Sequence, residues 1–391
     1  MNTSRLRSIV GIAALTAANG LIYGLNALYY CFIQLYLSKF HTPASVGVLL
    51  SVGPLIAIFA PLFWGILADR AKYKNTIMLI TVLGSAICYL LLPIDNSFVW
   101  LFLTMFLLMF FMSPFGGMID TITLEYTSIS GVAYGPIRLS GTLVFGIIPM
   151  ILTPFTEKNI YIVFYVYSAV ALLAALSIIL MPKVSGHAKK SEPVDIKSIF
   201  CCFPLMLLFV AMAVSQFTWA YYLNFYPTFL TTELKMPQSV WGVCVFVSVL
   251  GEIPFFMLFN RIYKRFSLRT LVITGALLAV MRYLSLALLE NQIAIFAAAL
   301  VTGLSPTLIT YSASMYITRH IDRRMIATVQ TLLYSMTSGI PKVLAGFCGG
   351  LITESIGVRG GMLLAVAFNA AAVVLFTIPK FGRQLSSREH S

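Results

Sequence analysis

The chain reads as an all-α membrane protein of twelve transmembrane helices in two parallel, pseudo-symmetric six-helix bundles, and three observations lead there. Hydrophobic residues fill 59% of the 391 positions and charged residues only 10%, against roughly 25% charged in a soluble domain; mean hydropathy is +0.92. The apolar residues gather into twelve runs, each long enough to cross about 30 Å of hydrocarbon as a helix. A short motif recurs as PASVG from Pro43 and PQSVWG from Pro237, 194 residues apart, each copy followed by one apolar run and a basic loop. Tyr29 and Tyr30 precede the first copy as Tyr221 and Tyr222 precede the second. A parallel repeat of this size predicts a pseudo-two-fold axis along the membrane normal, with a solute site near mid-membrane between the halves.

The runs cover residues 8–38, 44–68, 76–93, 98–125, 134–155 and 160–181, then 199–230, 238–260, 270–289, 293–317, 326–352 and 357–378. Arg5 and Arg7 ahead of the first run resemble the start of a signal peptide, but the run continues to Leu37, too long for one, so it is the first span. The longest loop between runs, PKVSGHAKKSEPVDIKS from Pro182, is polar and basic. It divides the chain into an N-terminal bundle (1–182), a cytoplasmic linker (183–198) and a C-terminal bundle (199–391) with a short cytoplasmic tail.

Orientation follows from Lys and Arg. Nineteen of the 26 lie in loops on one side, four (Lys39, Lys158, Lys235, Arg359) on the other. The excess marks the cytoplasmic side, which places both termini there in a multi-pass protein of the inner (cytoplasmic) membrane. It also accounts for the +13 net charge without nucleic acid, since the basic residues do not share one soluble face. The six cysteines show no metal or disulfide spacing, and the four histidines lie in loops or the tail. No metal site, cofactor or phosphate-cradling loop is expected. A lipid-embedded monomer with a small-molecule solute as partner is the simplest expectation.

Three bases remain inside the runs, Arg138, Arg282 and Lys342, facing the acids Asp120, Glu125 and Glu252. A charge at a helix centre in lipid costs about 2.5 to 3.5 kcal/mol, so such residues pair, face water or serve a function. With a turn at 126–133, Asp120 and Arg138 stand nine residues either side of Ile129. Each is then about 9 Å into its helix, close enough to pair across the hairpin. Glu252 and Arg282 sit on adjacent spans. Glu125 lies near a span end, where solvation is cheap. Lys342 has no acid on its own or a neighbouring span and must find a remote acid, water or a bound anion. Without Glu125, the deep set is two acids and three bases, a surplus that points to an anionic solute. Polar and aromatic residues step along one face of the first span (Asn19, Tyr23, Asn26, Tyr30, Gln34) and of the seventh (Gln216, Trp219, Tyr222, Asn224, Tyr226). Asn26, Tyr30, Trp219 and Tyr222 are candidates for hydrogen bonding and stacking on a solute.

The loop GILADRAKYKN, Gly65 to Asn75, resembles the signature of the major facilitator superfamily, with Asp69 and Arg70 in place and Lys72 where a second Gly is usual. The resemblance implies a conformational latch at Asp69 and Arg70. Asp120 eighteen residues before Arg138 in YGPIRLSG, Glu252 in GEIPFF thirteen before Arg265, and Arg282 in AVMRY are similar to the phenylpropionate permease group, with the oligosaccharide and nucleoside proton symporters as cousins. Where the oligosaccharide symporters use a His in the tenth span, this chain has Thr302, and their sugar-stacking Trp corresponds to Phe145. The resemblance implies a secondary transporter, not an enzyme. It brings in an organic anion, sugar or nucleoside with protons by alternating access. As the deep acids, Asp120 and Glu252 are the candidates for carrying the proton, with Arg138 and Arg282 as their partners and Lys342 as a candidate contact for an anion. The alternatives are a proton-driven exporter, whose Gly-Pro signature GTLVFGIIPM matches in part, and, further off, a membrane enzyme or receptor.

Overall fold

The computed structural model of the chain describes residues 3–185, 203–320 and 339–377. Its helices are α1 (Thr3–Leu37), α2 (Pro43–Ile56), α3 (Ala60–Arg70), α4 (Lys74–Leu91), α5 (Phe98–Met112), α6 (Phe115–Ser130), α7 (Tyr134–Lys158) and α8 (Ile162–Leu180), then α9 (Phe203–Thr228), α10 (Ser239–Arg265), α11 (Leu268–Leu288), α12 (Gln292–Thr302), α13 (Leu304–His320) and α14 (Ile340–Thr377). Among the described residues ten helical segments are long and apolar enough to cross a membrane, and Ser239–Pro254 is a shorter apolar one. The last, Ile340–Thr377, is two helices that meet at Gly357, whose φ of 74° is a left-handed conformation that a side chain strains. With that break the segments reach the expected twelve. The expected run 326–352 lies outside the described residues up to 338, as do most of the linker and the tail.

Several expected spans are not single helices, and proline explains where they break. A proline has no N–H for the carbonyl four residues back and its ring pushes against that carbonyl. The second run divides into α2 and α3 just before Pro61, and the fourth into α5 and α6 at Pro114. The tenth divides into α12 and α13 ahead of Pro306. In lipid a carbonyl released in this way needs another donor. The carbonyl of Phe110, four before Pro114, accepts from the Trp64 indole at 2.8 Å. The carbonyl of Thr302, four before Pro306, accepts from Arg282 Nη1 at 3.0 Å.

The described helices gather into two compact units. Unit 1 holds Met1–His41, Val52–Lys190 and Pro237–Gly242; unit 2 holds Thr42–Ser51, Ser191–Met236 and Val243–Ser391. In unit 1, α1 packs on α7 and α8, and α4 packs on α5 and α8. In unit 2, α9 packs on α13 and α14, and α11 on α12, α13 and α14. Lipid offers little hydrophobic drive between helices, so close packing and polar contacts hold them. Tyr89 stacks on Tyr167 at 4.0 Å, while its hydroxyl donates to Leu28 O and that of Tyr167 to Ser85. In unit 2, Tyr221 and Thr353 share a hydrogen bond of 3.0 Å, and Asn369 donates to Thr218.

Both copies of the repeated motif lie in the unit built mainly from the other half of the sequence. Within unit 1, Trp241 donates to the Cys31 carbonyl at 3.2 Å and Thr156 to Gln238 at 3.0 Å. Within unit 2, the Ala44 amide donates to Glu354 at 2.9 Å and Ser51 to the Val343 carbonyl at 3.0 Å. Of these, the Ala44 amide is a backbone donor in the first turn of α2, where amides lack helical partners, and Glu354 accepts from it.

Candidate functional site

In unit 1 the hairpin of α6 and α7 brings Asp120 and Arg138 together, with Arg138 Nε 3.4 Å from Asp120 Oδ1 and each side chain about one-third exposed. The route differs from the expected symmetric turn. α6 runs on to Ser130, Gly131 caps it and α7 starts at Tyr134, so Asp120 is ten residues back from one helix end and Arg138 four past the other. Six residues of unequal depth correspond to about 9 Å along a helix, and the long arginine side chain spans the difference. Tyr23 of α1 completes the cluster. Its hydroxyl donates to Asp120 Oδ2 at 3.2 Å, and the Arg138 guanidinium lies over its ring at 4.0 Å. Arg138 also donates to Thr142 at 3.2 Å.

The final Gly of YGPIRLSG has a packing reason. A Cβ on Gly141 would stand 3.0 Å from Asn19 Oδ1 and press into the Tyr23 ring, so the absence of a side chain lets α1 close on α7. Asn19 in turn donates to Thr123 at 3.1 Å. Two of the five polar residues on the first-span face, Asn19 and Tyr23, therefore border the Asp120 cluster. Asn26, seven residues on from Asn19, and Phe145, seven on from Arg138, continue their respective faces as half-buried side chains. Tyr30 is exposed and meets Tyr29 edge-on at 5.1 Å. Gln34 is buried and donates to Ser38.

Unit 2 arranges its charges differently. Gln216, Trp219, Glu252, Thr307, Thr310 and Lys342 line a cavity of about 220 Å³. The Lys342 ammonium sits 5.0 Å over the Trp219 ring, an arrangement in which the aromatic face attracts the cation. Arg282 is 2% exposed. Besides the Thr302 carbonyl, it meets the faces of Tyr222 at 5.2 Å and Tyr283 at 4.1 Å. Its Nε has no hydrogen-bond partner among the described residues. The Glu252 carboxylate packs against Gly303. The pair expected on adjacent spans thus converges on the Thr302–Gly303 corner, Arg282 donating to a backbone carbonyl there and Glu252 reaching into the cavity. Tyr222, expected to face solute, covers Arg282 and stacks on Tyr226 at 4.9 Å.

Sequence reasoning passed over one residue here. Lys74, read as part of the basic loop, is 5% exposed and is ion-paired with both Asp69, at 3.4 Å, and Glu125. Glu125 is therefore not simply a solvated span end but half of this bridge. Lys74 is the first residue of α4 and Asp69 the last but one of α3, so a short loop brings the two together. A cavity of about 270 Å³ adjoins, with Gly65, Asp69, Lys74, Gly117 and Thr121 in its wall. Arg70 is exposed.

Comparison with known proteins agrees with this architecture. The MFS_1 like family matches residues 20–360. The chain is 23% identical over 366 residues to the uncharacterized transporter YwbF of Bacillus subtilis (strain 168), covering 92% of this chain and 90% of that one. It is 23% identical over 313 residues to a maltose permease of Geobacillus stearothermophilus, covering 80% and 79%. Among solved structures, a mutant of the nucleoside transporter NupG superposes with a TM-score of 0.86 at 17% identity, over 93% of this chain and 98% of that one.

Proposed function

This chain belongs to the MFS_1 like family of major facilitator transporters, and on that premise we propose that it carries a small, neutral, polar organic solute of the sugar or nucleoside kind, inward and with protons. The observation that supports this reading is the cavity of unit 2, where Lys342 and Glu252 line one wall system with the Trp219 ring. One acid and one base there leave no net charge for a solute to balance. An aromatic face with polar groups around it suits a ring that is apolar on its faces and hydroxylated at its edge. The cavity, about 220 Å³, falls short of the roughly 300 to 1,000 Å³ of drug-sized sites, which favours a single-ring solute or one ring of a larger one.

We assign the surplus positive charge that suggested an anion to Arg282, which donates to the Thr302 carbonyl and lies against two tyrosine faces. That leaves Asp120 balanced by Arg138 in unit 1 and Glu252 accompanied by Lys342 in unit 2. Asp120 and Glu252 are the proposed proton carriers, because each can be neutralised beside a cation that then becomes free for another partner. Asp69, Lys74 and Glu125 are proposed as the latch that biases conformations, with Arg70 outside it. The relatives named as a maltose permease and a nucleoside transporter are consistent with a neutral solute. The protein is proposed to lie in the inner membrane with both termini cytoplasmic, its two six-helix halves being 1–182 and 199–391.

The test is thermal-shift screening of purified protein against monosaccharides, disaccharides, nucleosides and a matched aromatic carboxylate and amide, followed by uptake of the hits into proteoliposomes with an imposed pH gradient. Binding of a neutral ring solute and its accumulation with the gradient are expected. A strict preference for the carboxylate over its amide would overturn the neutral reading, and efflux driven by the same gradient would reverse the direction.

A further inference from the structure

The first residues after α8 are fastened to the first residues of α4. The Lys74 amide donates to the Val184 carbonyl at 2.9 Å. The buried Asn75 side chain then acts as a second backbone, its Nδ2 donating to the Pro182 carbonyl at 3.0 Å and its Oδ1 accepting from the Val184 amide at 3.1 Å. Three hydrogen bonds across three residues make a rigid strap, and its consequence is electrostatic. It brings Lys183 to the Tyr73 ring, with the ammonium 5.1 Å from the centroid, and Lys72 approaches the same ring at 5.6 Å.

Two like charges are therefore gathered around one aromatic ring, with Lys183 on the segment that the strap fixes. Asp69, the acid nearest in sequence, is engaged by Lys74. The helices leading into this corner end in exposed apolar side chains, Ile66 and Leu67 on α3 and Ile179 and Leu180 on α8. A cationic pair at the end of apolar, outward-facing helix surfaces matches a lipid whose phosphate carries the charge and whose chains lie along the helices.

We propose that the strap and the loop before α4 form a binding site for the phosphate of an anionic membrane lipid, with Lys72 and Lys183 as its two contacts and Tyr73 between them. Asn75 is the positioning residue, since it holds Lys183 in place without touching the lipid. A membrane-surface charge contributes about 1 kcal/mol per lysine, so each lysine removed weakens the lipid roughly fivefold.

The experiment uses the full chain in neutral detergent, titrated with phosphatidylglycerol, phosphatidylcholine or inorganic phosphate, with thermal unfolding and native mass spectrometry as readouts. Wild type is expected to bind phosphatidylglycerol and gain thermal stability from it, but not from the other two. Lys183→Gln, which leaves all three strap hydrogen bonds in place, weakens that response roughly fivefold, and Lys72→Gln/Lys183→Gln abolishes most of it. Asn75→Ala, with both lysines present, weakens it as well. Retention of the full phosphatidylglycerol response in the double variant overturns the site, and so does an equal response to inorganic phosphate or phosphatidylcholine. None of these readouts depends on which solute the protein carries.

Discussion

In unit 1, Pro114 leaves the Phe110 carbonyl without its helical donor and a neutral indole, Trp64, fills the place; in unit 2, Pro306 does the same at Thr302 and the donor is a guanidinium, Arg282. The two breaks are made alike and repaired unlike. The same contrast runs through the charge clusters. Unit 1 pairs its deep charges directly, Asp120 with Arg138 under the Tyr23 hydroxyl. Unit 2 commits Arg282 to the backbone and sets Lys342 over Trp219 in a cavity that Glu252 also lines. A repeated scaffold therefore does not imply repeated chemistry. One unit holds an acid and a base in direct contact, the other a cavity in whose wall a lysine lies over an aromatic ring.

The largest effect is expected on coupling, and it asks which unit handles the proton. Asp120→Asn and Glu252→Gln are each expected to abolish solute-driven alkalinisation while exchange of solute down its own gradient persists. Proteoliposomes with an internal pH dye measure it. If one mutant alone loses coupling, the proton belongs to that unit, and if neither does, both acids are structural.

Next comes stability. Arg282→Met keeps the bulk but leaves the Thr302 carbonyl buried without a donor and removes a cation from two tyrosine faces. A loss of about 3 kcal/mol is expected, the sum of a charged hydrogen bond and a desolvated cation–π contact. Thermal unfolding in detergent reads it, and a variant as stable as wild type would mean that Arg282 is not holding the break.

Smaller is the expected change in solute affinity. Lys342→Ala should weaken a neutral ring solute about tenfold, equivalent to 1.4 kcal/mol, and a matched carboxylate by no more than that, because the ammonium works beside Glu252 rather than alone. A loss confined to the carboxylate would show that the cavity of unit 2 selects anions after all. The smallest effect is expected for Trp64→Phe, which keeps the ring and drops one neutral donor. It should cost about 1 kcal/mol, so a cost matching that of Arg282→Met would erase the contrast between the two repairs.

Much of the site was legible before any coordinates. Asp120 and Arg138 stood out because each is expensive in lipid and they flank one hairpin, and they do pair. Their spacing misplaced the turn, since nothing local shows that α6 continues through Thr127 to Ser130 before Gly131 ends it. Lys74 escaped notice for the opposite reason. A lysine in a basic loop looks topogenic, and only packing shows that it is buried between Asp69 and Glu125. The anionic-solute expectation rests on a count of charges, and a count does not show that a proline four residues beyond Thr302 leaves a carbonyl that accepts from one of them.

By itself the sequence determined the membrane class, the spans and the repeat, because hydrocarbon thickness, the cost of buried charge and helix periodicity act on every residue in the same way wherever it lies. It did not say where spans break, since Pro149 and Pro154 lie inside the unbroken α7 while α5 and α6 part at Pro114. Only the tertiary structure decided which neighbour replaces the hydrogen bond lost at a break, which acid a buried cation meets, and that the two copies of the repeated motif each pack in the unit of the other half. Those outcomes depend on distances between residues far apart in the chain, and a charge or a carbonyl shows its partner only once the helices have packed.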